Sequence, residues 1–136
     1  MLIDWTGEFD RWYDRLIERA NAGDARALEQ LATVDAELSV LQDLQTAPQA
    51  NTPTLRRVSQ SRRHEVWRVA HPFVDGSAIR LIVWFPPDRP GDVVVVLFGA
   101  DKAQMGDVFY KSVGPRADVA IDSYMFRTRT EGDTDE

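Results

Sequence analysis

Two arginines, Arg68 and Arg80, stand in neighbouring apolar runs, and Lys102, Tyr110 and Lys111 follow just past a third run. If the first two runs pair as antiparallel strands, both arginines can project onto one face of a sheet. Cleavage of an RNA phosphodiester needs positive charge where the phosphorane develops, a group that takes the 2′-hydroxyl proton, and a donor to the leaving oxygen. Guanidinium groups meet the first need, and a Tyr, Lys or His shifted by its neighbours can meet the others. The competing reading makes Arg68 and Arg80 ordinary sheet-surface bridges to acidic neighbours.

Other chemistries find less support. His64 and His71 share one expected strand at no metal-ligand spacing, and each reads as a satisfied or solvent-facing side chain. The chain has no cysteine, which excludes disulfides and thiolate metal sites and fits a reducing compartment. It carries no G-x-G-x-x-G, Walker or G-x-S-x-G string, so nucleotide-dependent and serine-hydrolase readings lack a motif. The many carboxylates of the first 50 residues read as solvated helix faces. Neither a metal nor a cofactor is expected.

The arginines must be positioned by residues 64–71 (HEVWRVAH), 78–85 (AIRLIVWF) and 92–99 (DVVVVLFG), three runs of strand length and strand composition. The links hold Asp75-Gly76, then Pro86-Pro87 and Pro90-Gly91, which mark turns. Links this short predict an antiparallel meander. In the middle run, alternation puts Ile79, Leu81, Val83 and Phe85 on one face and Arg80, Ile82 and Trp84 on the other. The first face is wholly apolar and needs a cover.

Two helices can provide it. Residues 2–5 suit a short edge strand, after which Phe9, Trp12, Tyr13, Leu16, Ile17 and Ala20 recur at helical spacing. Asn21-Ala22-Gly23 reads as a stop and Asp24 as the next N-cap. Leu28, Leu31, Val34, Leu38, Leu41 and Leu44 then form the stripe of a longer helix. Residues 45–54 are a proline-containing loop, and 54–60 are compatible with an extended segment. Beyond the third run a loop is expected over 100–106, and periodicity leaves 107–113 unassigned. Residues 115–125 predict a helix with Pro115 at its first position and Val119, Ile121, Tyr124 and Met125 partly buried. From Arg127 the chain reads as a polar, disordered acidic tail.

The expected fold is therefore α+β: a small, mainly antiparallel sheet of three core strands plus an N-terminal edge strand. A helical hairpin covers one face and a C-terminal helix closes it. The 136 residues, 43% hydrophobic, suit one domain over 1–126 followed by the tail at 127–136. The acidic start lacks the pattern of a signal peptide, and no apolar run approaches the roughly 18 residues of a spanning helix. A soluble cytoplasmic protein is expected.

The formal charge of -6 argues against a generally nucleic-acid-binding surface, yet the charge is uneven. Residues 51–80 hold six arginines against Glu65 and Asp75, a local excess of +4, while the segments on either side are net negative. Basic residues are 14 Arg to 2 Lys, and Arg forks suit phosphate bidentately in a way Lys cannot.

The order of elements, with several local strings, resembles the RelE/HigB/ParE superfamily of type II toxins, above all its phage-type RelE/HigB-like branch. The resemblance spans residues 2 to about 126. It rests on LIDW running into FDRWYDRL, the helical hairpin, TLRRVSQ, EVWRVAH, AIRLIVWF with Arg80 on the family strand's arginine, and VVVVLFGADK before a closing helix. It implies a toxin that cleaves mRNA in the ribosomal A site without a metal, inhibits translation, and is neutralised by a cognate antitoxin. It also implies catalytic roles for Arg68, Arg80, Lys102 and Tyr110, and RNA contacts from Arg56, Arg57, Arg62, Arg63, His71 and Lys111. Two departures stand out. The chain is acidic where many such toxins are basic, so attraction to rRNA must come from the block over 56–80. The family's usual lysine pair on the first core strand is replaced by Arg68 and Ala70.

Two further readings share the scaffold. A ParE-like gyrase inhibitor would act by protein contact and dispense with Arg68 and Arg80. A phage or mobile-element binding protein would cause no growth arrest. The VVVVLF run would promote aggregation as an exposed edge strand, which favours a bound antitoxin, in a toxin–antitoxin hetero-oligomer, or a homodimer.

Overall fold

Residues 93–98 are apolar at every position, so a strand built from them needs cover on both faces. The computed structural model describes residues 1–58, 63–69, 79–101 and 107–134, with side chains at 100, 101, 107–111 and 130–134 left aside. It provides that cover with two helices on one face of a sheet and a third helix on the other. The elements run β1 (Leu2–Trp5), α1 (Gly7–Asn21), α2 (Ala25–Gln42), β2 (Leu55–Arg57), β3 (Val66–Val69), β4 (Ile79–Trp84), β5 (Val93–Asp101) and α3 (Asp107–Thr134). Strand order is β1-β5-β4-β3-β2. The β2–β3, β3–β4 and β4–β5 pairs are antiparallel, whereas β1 lies parallel to β5, from Leu2 opposite Val93 to Trp5 opposite Val96.

This is the expected α+β arrangement of helices over a mainly antiparallel sheet, with five strands among the described residues in place of four. The added strand is β2, within the segment read as compatible with extension. Local signals hold at the helix ends. Thr6 caps α1: its Oγ1 accepts from Phe9 N (3.1 Å) and donates to Leu97 O (2.6 Å), which fastens the helix start to β5. Gly23 has φ of 94°, the left-handed turn that ends α1, and Asp24 Oδ1 accepts from Arg26 N and Ala27 N to start α2.

One core layer lies between the hairpin and the sheet, with Phe9, Leu16, Val34 and Leu41 against Leu55, Trp67, Val69, Ile79, Leu81, Val83, Val94 and Val96. The other layer joins α3 to the opposite face, with Val113, Ala117, Ile121 and Tyr124 against Val66, Ile82, Trp84, Val95, Leu97 and Phe98. Alternation along each strand assigns these side chains to their layers, except at Leu97 and Phe98, which share one.

Several expectations need correction. The face bearing Arg80, Ile82 and Trp84 is not an open polar face: Ile82 and Trp84 are buried beneath α3. The VVVVLF strand is an interior strand, not an edge, paired by β1 on one side and β4 on the other, so its apolar surface is satisfied within the chain. The last helix begins at Asp107, takes in 107–113, holds Pro115 in its interior and continues through 127–134, where a tail was expected. Val119, expected to be partly buried, is 62% exposed, and Leu28, assigned to the α2 stripe, is 59% exposed. The rest of the expected α2 stripe holds, with Val34 and Leu41 buried and Leu31, Leu38 and Leu44 packed against the core, and it widens to take in Ala27, Thr33 and Glu37.

A bulge lies at the centre of the sheet. Ile82 faces Phe98 while Val83 faces Val96, so Leu97 is the extra residue, and Leu97 and Phe98 both pack under α3. Gly99 is thereby turned toward α1. A Cβ there would stand 2.8 Å from the Trp12 ring, so the close approach of indole to strand requires glycine. Gly99→Ala is expected to cost about 1–3 kcal/mol by overpacking a rigid ring. The readout is a lower urea midpoint, with partial recovery when Trp12→Leu is added. Equal midpoints for Gly99→Ala and the parent would show that Trp12 moves aside freely.

Candidate nucleic-acid interface

Strand register decides which arginines share a face. Arg56 on β2 stands directly opposite Arg68 on β3, and Arg68 stands opposite Ile82 on β4. Arg80, two residues before Ile82, therefore lies on the diagonal from Arg68. All three leave the sheet on the α3 side, because the residues between them (Leu55, Trp67, Val69, Ile79 and Leu81) belong to the hairpin layer. The result is an arginine row across three neighbouring strands. Arg56 is exposed, while Arg68 and Arg80 are half-buried. Opposed like charges destabilise a strand pair, so the row is a feature that strand pairing alone would not select.

The other candidates separate from it. Arg57 points to the opposite face, where its Nη2 donates to Glu65 Oε1 (2.6 Å) and its guanidinium lies 5.2 Å from the centre of the Trp67 ring. Arg63 serves to dock α3: its Nη2 pairs with Asp122 Oδ2 (2.6 Å) and its amide donates to Asp118. His64 takes part in the same clasp, its amide donating to Asp118 Oδ1 (3.2 Å) and its Nε2 lying 3.0 Å from Asp122 Oδ1. Its ring meets Trp84 edge-on. Arg62, His71 and Lys102 lie outside the described residues, and Tyr110 and Lys111 are placed only as backbone in the first turns of α3. β5 ends at Asp101, opposite Ile79, at the Arg80 end of the sheet.

One group was missed by reading the acidic residues as solvated. Glu37 on α2 is fully buried, and neither carboxylate oxygen has a hydrogen-bond partner among the described residues. Burial pushes its pKa from the usual 4.5 up to about 8, against a smaller downward pull from the Arg80 charge and from the nearby Leu81 amide, which falls short of hydrogen-bond geometry. The signal was available in the spacing, since position 37 falls between Val34 and Leu41 on the buried stripe. Arg80 also donates from Nη1 to the Ile79 carbonyl (2.9 Å). That bond ties its guanidinium to the strand end.

Tyr124 fixes α3 to the far edge of the sheet. Its hydroxyl donates to Asp4 Oδ2 (2.6 Å), and burial together with that acceptor pushes its pKa up to about 12. It is a structural phenol, not a proton donor for chemistry near pH 7. Among the described residues no group of three or more His, Asp or Glu side chains could hold a metal ion, and no helix is long and apolar enough to cross a membrane. Compared with protein-family models, curated proteins and solved structures, the chain matches none.

The raised pKa of Glu37 has a definite sign. The folded chain holds a proton that the unfolded chain releases between about pH 4.5 and pH 8, so the stability this group contributes below that window is lost as pH rises through it. Glu37→Gln is expected to match the parent at pH 4.5, to exceed its melting temperature at pH 8, and to flatten the profile between. Identical pH profiles for the two proteins in thermal denaturation would refute the buried-acid assignment.

Proposed function

We propose that this chain is the toxin of a type II toxin–antitoxin pair, a metal-independent endoribonuclease that cleaves mRNA on the ribosome. It acts in the cytoplasm and is held inactive by a cognate antitoxin. The observation that carries the reading is the register that sets Arg56 opposite Arg68 with Arg80 on the adjoining diagonal. Three guanidinium groups on one sheet face make a phosphate-binding row in an otherwise acidic protein, as an RNA-cleaving face requires. The order of strands and helices is consistent with the RelE/HigB-like resemblance noted in the sequence.

The chemistry would proceed by attack of the 2′-oxygen on the adjacent phosphorus and departure of the 5′-oxygen, leaving a 2′,3′-cyclic phosphate and a 5′-hydroxyl. Arg68 and Arg80 bear the charge that builds on the phosphorane oxygens. Arg56, more exposed and nearer the sheet edge, fits a neighbouring phosphate. The proton steps fall to Lys102 and Tyr110, and that assignment comes from the resemblance alone.

Induced expression of the parent beside Arg68→Ala/Arg80→Ala, with growth followed and the 5′ ends of cellular mRNA mapped, tests the reading. Growth arrest with new in-frame mRNA ends is expected, falling by about 100-fold or more in the double variant, the scale of losing charge-stabilising donors. Arrest without new ends would replace the reading with a gyrase-type or other protein target. Absence of arrest would leave a scaffold kept for binding a partner.

A further inference from the structure

Away from the arginine row, α1 and the middle of α3 enclose a cleft of about 510 Å³. Arg11 and Glu8 line it from α1, and Arg116 and Arg127 line it from α3 together with the apolar surface of Val119, Ala120 and Tyr124. Arg116 is committed: its Nη2 donates to Glu8 Oε1 and its guanidinium lies 3.9 Å from the centre of the Phe98 ring. The other two converge. A Cβ built on Gly7 would stand 3.2 Å from Arg11 Nη1 and 3.7 Å from Arg127 Nη1, so both forks reach one spot above the glycine. Arg127 also makes a long hydrogen bond to the Trp5 carbonyl (3.4 Å) and faces the Tyr124 ring at 5.9 Å, contacts that orient it without neutralising it.

Two guanidinium groups aimed at one spot repel each other, and an anion with several oxygens, accepting from both forks, turns that repulsion into attraction. The planar fork matches phosphate geometry. A phosphate alone would occupy a small part of the space, which lies within the range of roughly 300–1,000 Å³ typical of organic-ligand sites. Val119, 62% exposed on this cleft, is left without cover by the fold itself. We propose that the cleft binds a phosphate ester of nucleotide size, its phosphate between Arg11 and Arg127 and its organic part against the Val119–Ala120–Tyr124 wall. The converging arginines and the cavity carry this assignment, which is independent of the endoribonuclease reading.

The test is titration of the full chain, observed through backbone amide NMR shifts at about 0.15 M salt, where long-range charge effects are screened. Adenosine 5′-diphosphate, pyrophosphate and adenosine are the probes. Saturable shifts at Gly7, Glu8 and Ser123 are expected with the diphosphate, weaker ones with pyrophosphate and none with adenosine. Arg11→Gln/Arg127→Gln should weaken binding about tenfold or more, the scale of lost charge-assisted hydrogen bonds, while Arg15→Gln leaves it unchanged. Gly7→Ala, which keeps both guanidinium groups and blocks the spot between them, should weaken binding as well. Three results would overturn the proposal: no saturable shift in the parent, undiminished binding in both cleft variants, or response to a single-stranded oligonucleotide with none to the diphosphate or pyrophosphate. The last would make the cleft part of an RNA track.

Discussion

Burial of β5 on both faces is the constraint on which the rest of the architecture depends. A strand whose consecutive residues are Val93, Val94, Val95, Val96, Leu97 and Phe98 cannot present either side to water, so one layer of helices is not enough. The hairpin of α1 and α2 accounts for Val94 and Val96, and α3 for Val95, Leu97 and Phe98. The edges follow from the same requirement. With β1 on one side of β5 and β4 on the other, the most apolar backbone is also fully paired, and the outer strands are short, carrying Asp4 at one edge and Arg56 and Arg57 at the other.

Much of this was legible in the residues. Helical spacing from Phe9 to Ala20, the stop at Gly23, the Asp24 cap and the alternation of Ile79 to Phe85 each have one simple reading, and the structure follows it. The bulge at Leu97 was not legible, because a uniformly apolar run looks the same in either register. The length of α3 was hidden by Pro115, which in a sequence marks a helix start more often than an interior position. The cover over the second sheet face was missed for a related reason. Arg80 in the pattern Arg80-Ile82-Trp84 suggests a wet surface, while the fold splits that strand face between an apolar part under α3 and a charged end.

That split shapes the candidate site. The placement of Arg68 and Arg80 on one face was readable from strand pairing alone, but the addition of Arg56 needed β2, and the loss of Arg57 and Arg63 to ion pairs needed their tertiary partners Glu65 and Asp122. Glu37 makes the same point in the interior. A carboxyl group at a leucine's place in a helix stripe costs stability at neutral pH, and the charge that eases its ionisation is the arginine on which the proposed chemistry leans. Strain of this kind gathers where a structure serves something besides its own folding.

The parallel pairing of β1 with β5 has a consequence for how the chain comes into being. Leu2 to Trp5 pair with Val93 to Val96, the widest separation along the chain of any two paired strands in the sheet. During synthesis the first strand has no backbone partner until the fifth has left the ribosome, and the aromatic face of α1 must wait with it, since Thr6 and Trp12 also close on residues 97 and 99. The fold therefore stays open at β1 until β5 has been made, and assembly of the sheet is a late, long-range event rather than a progressive one.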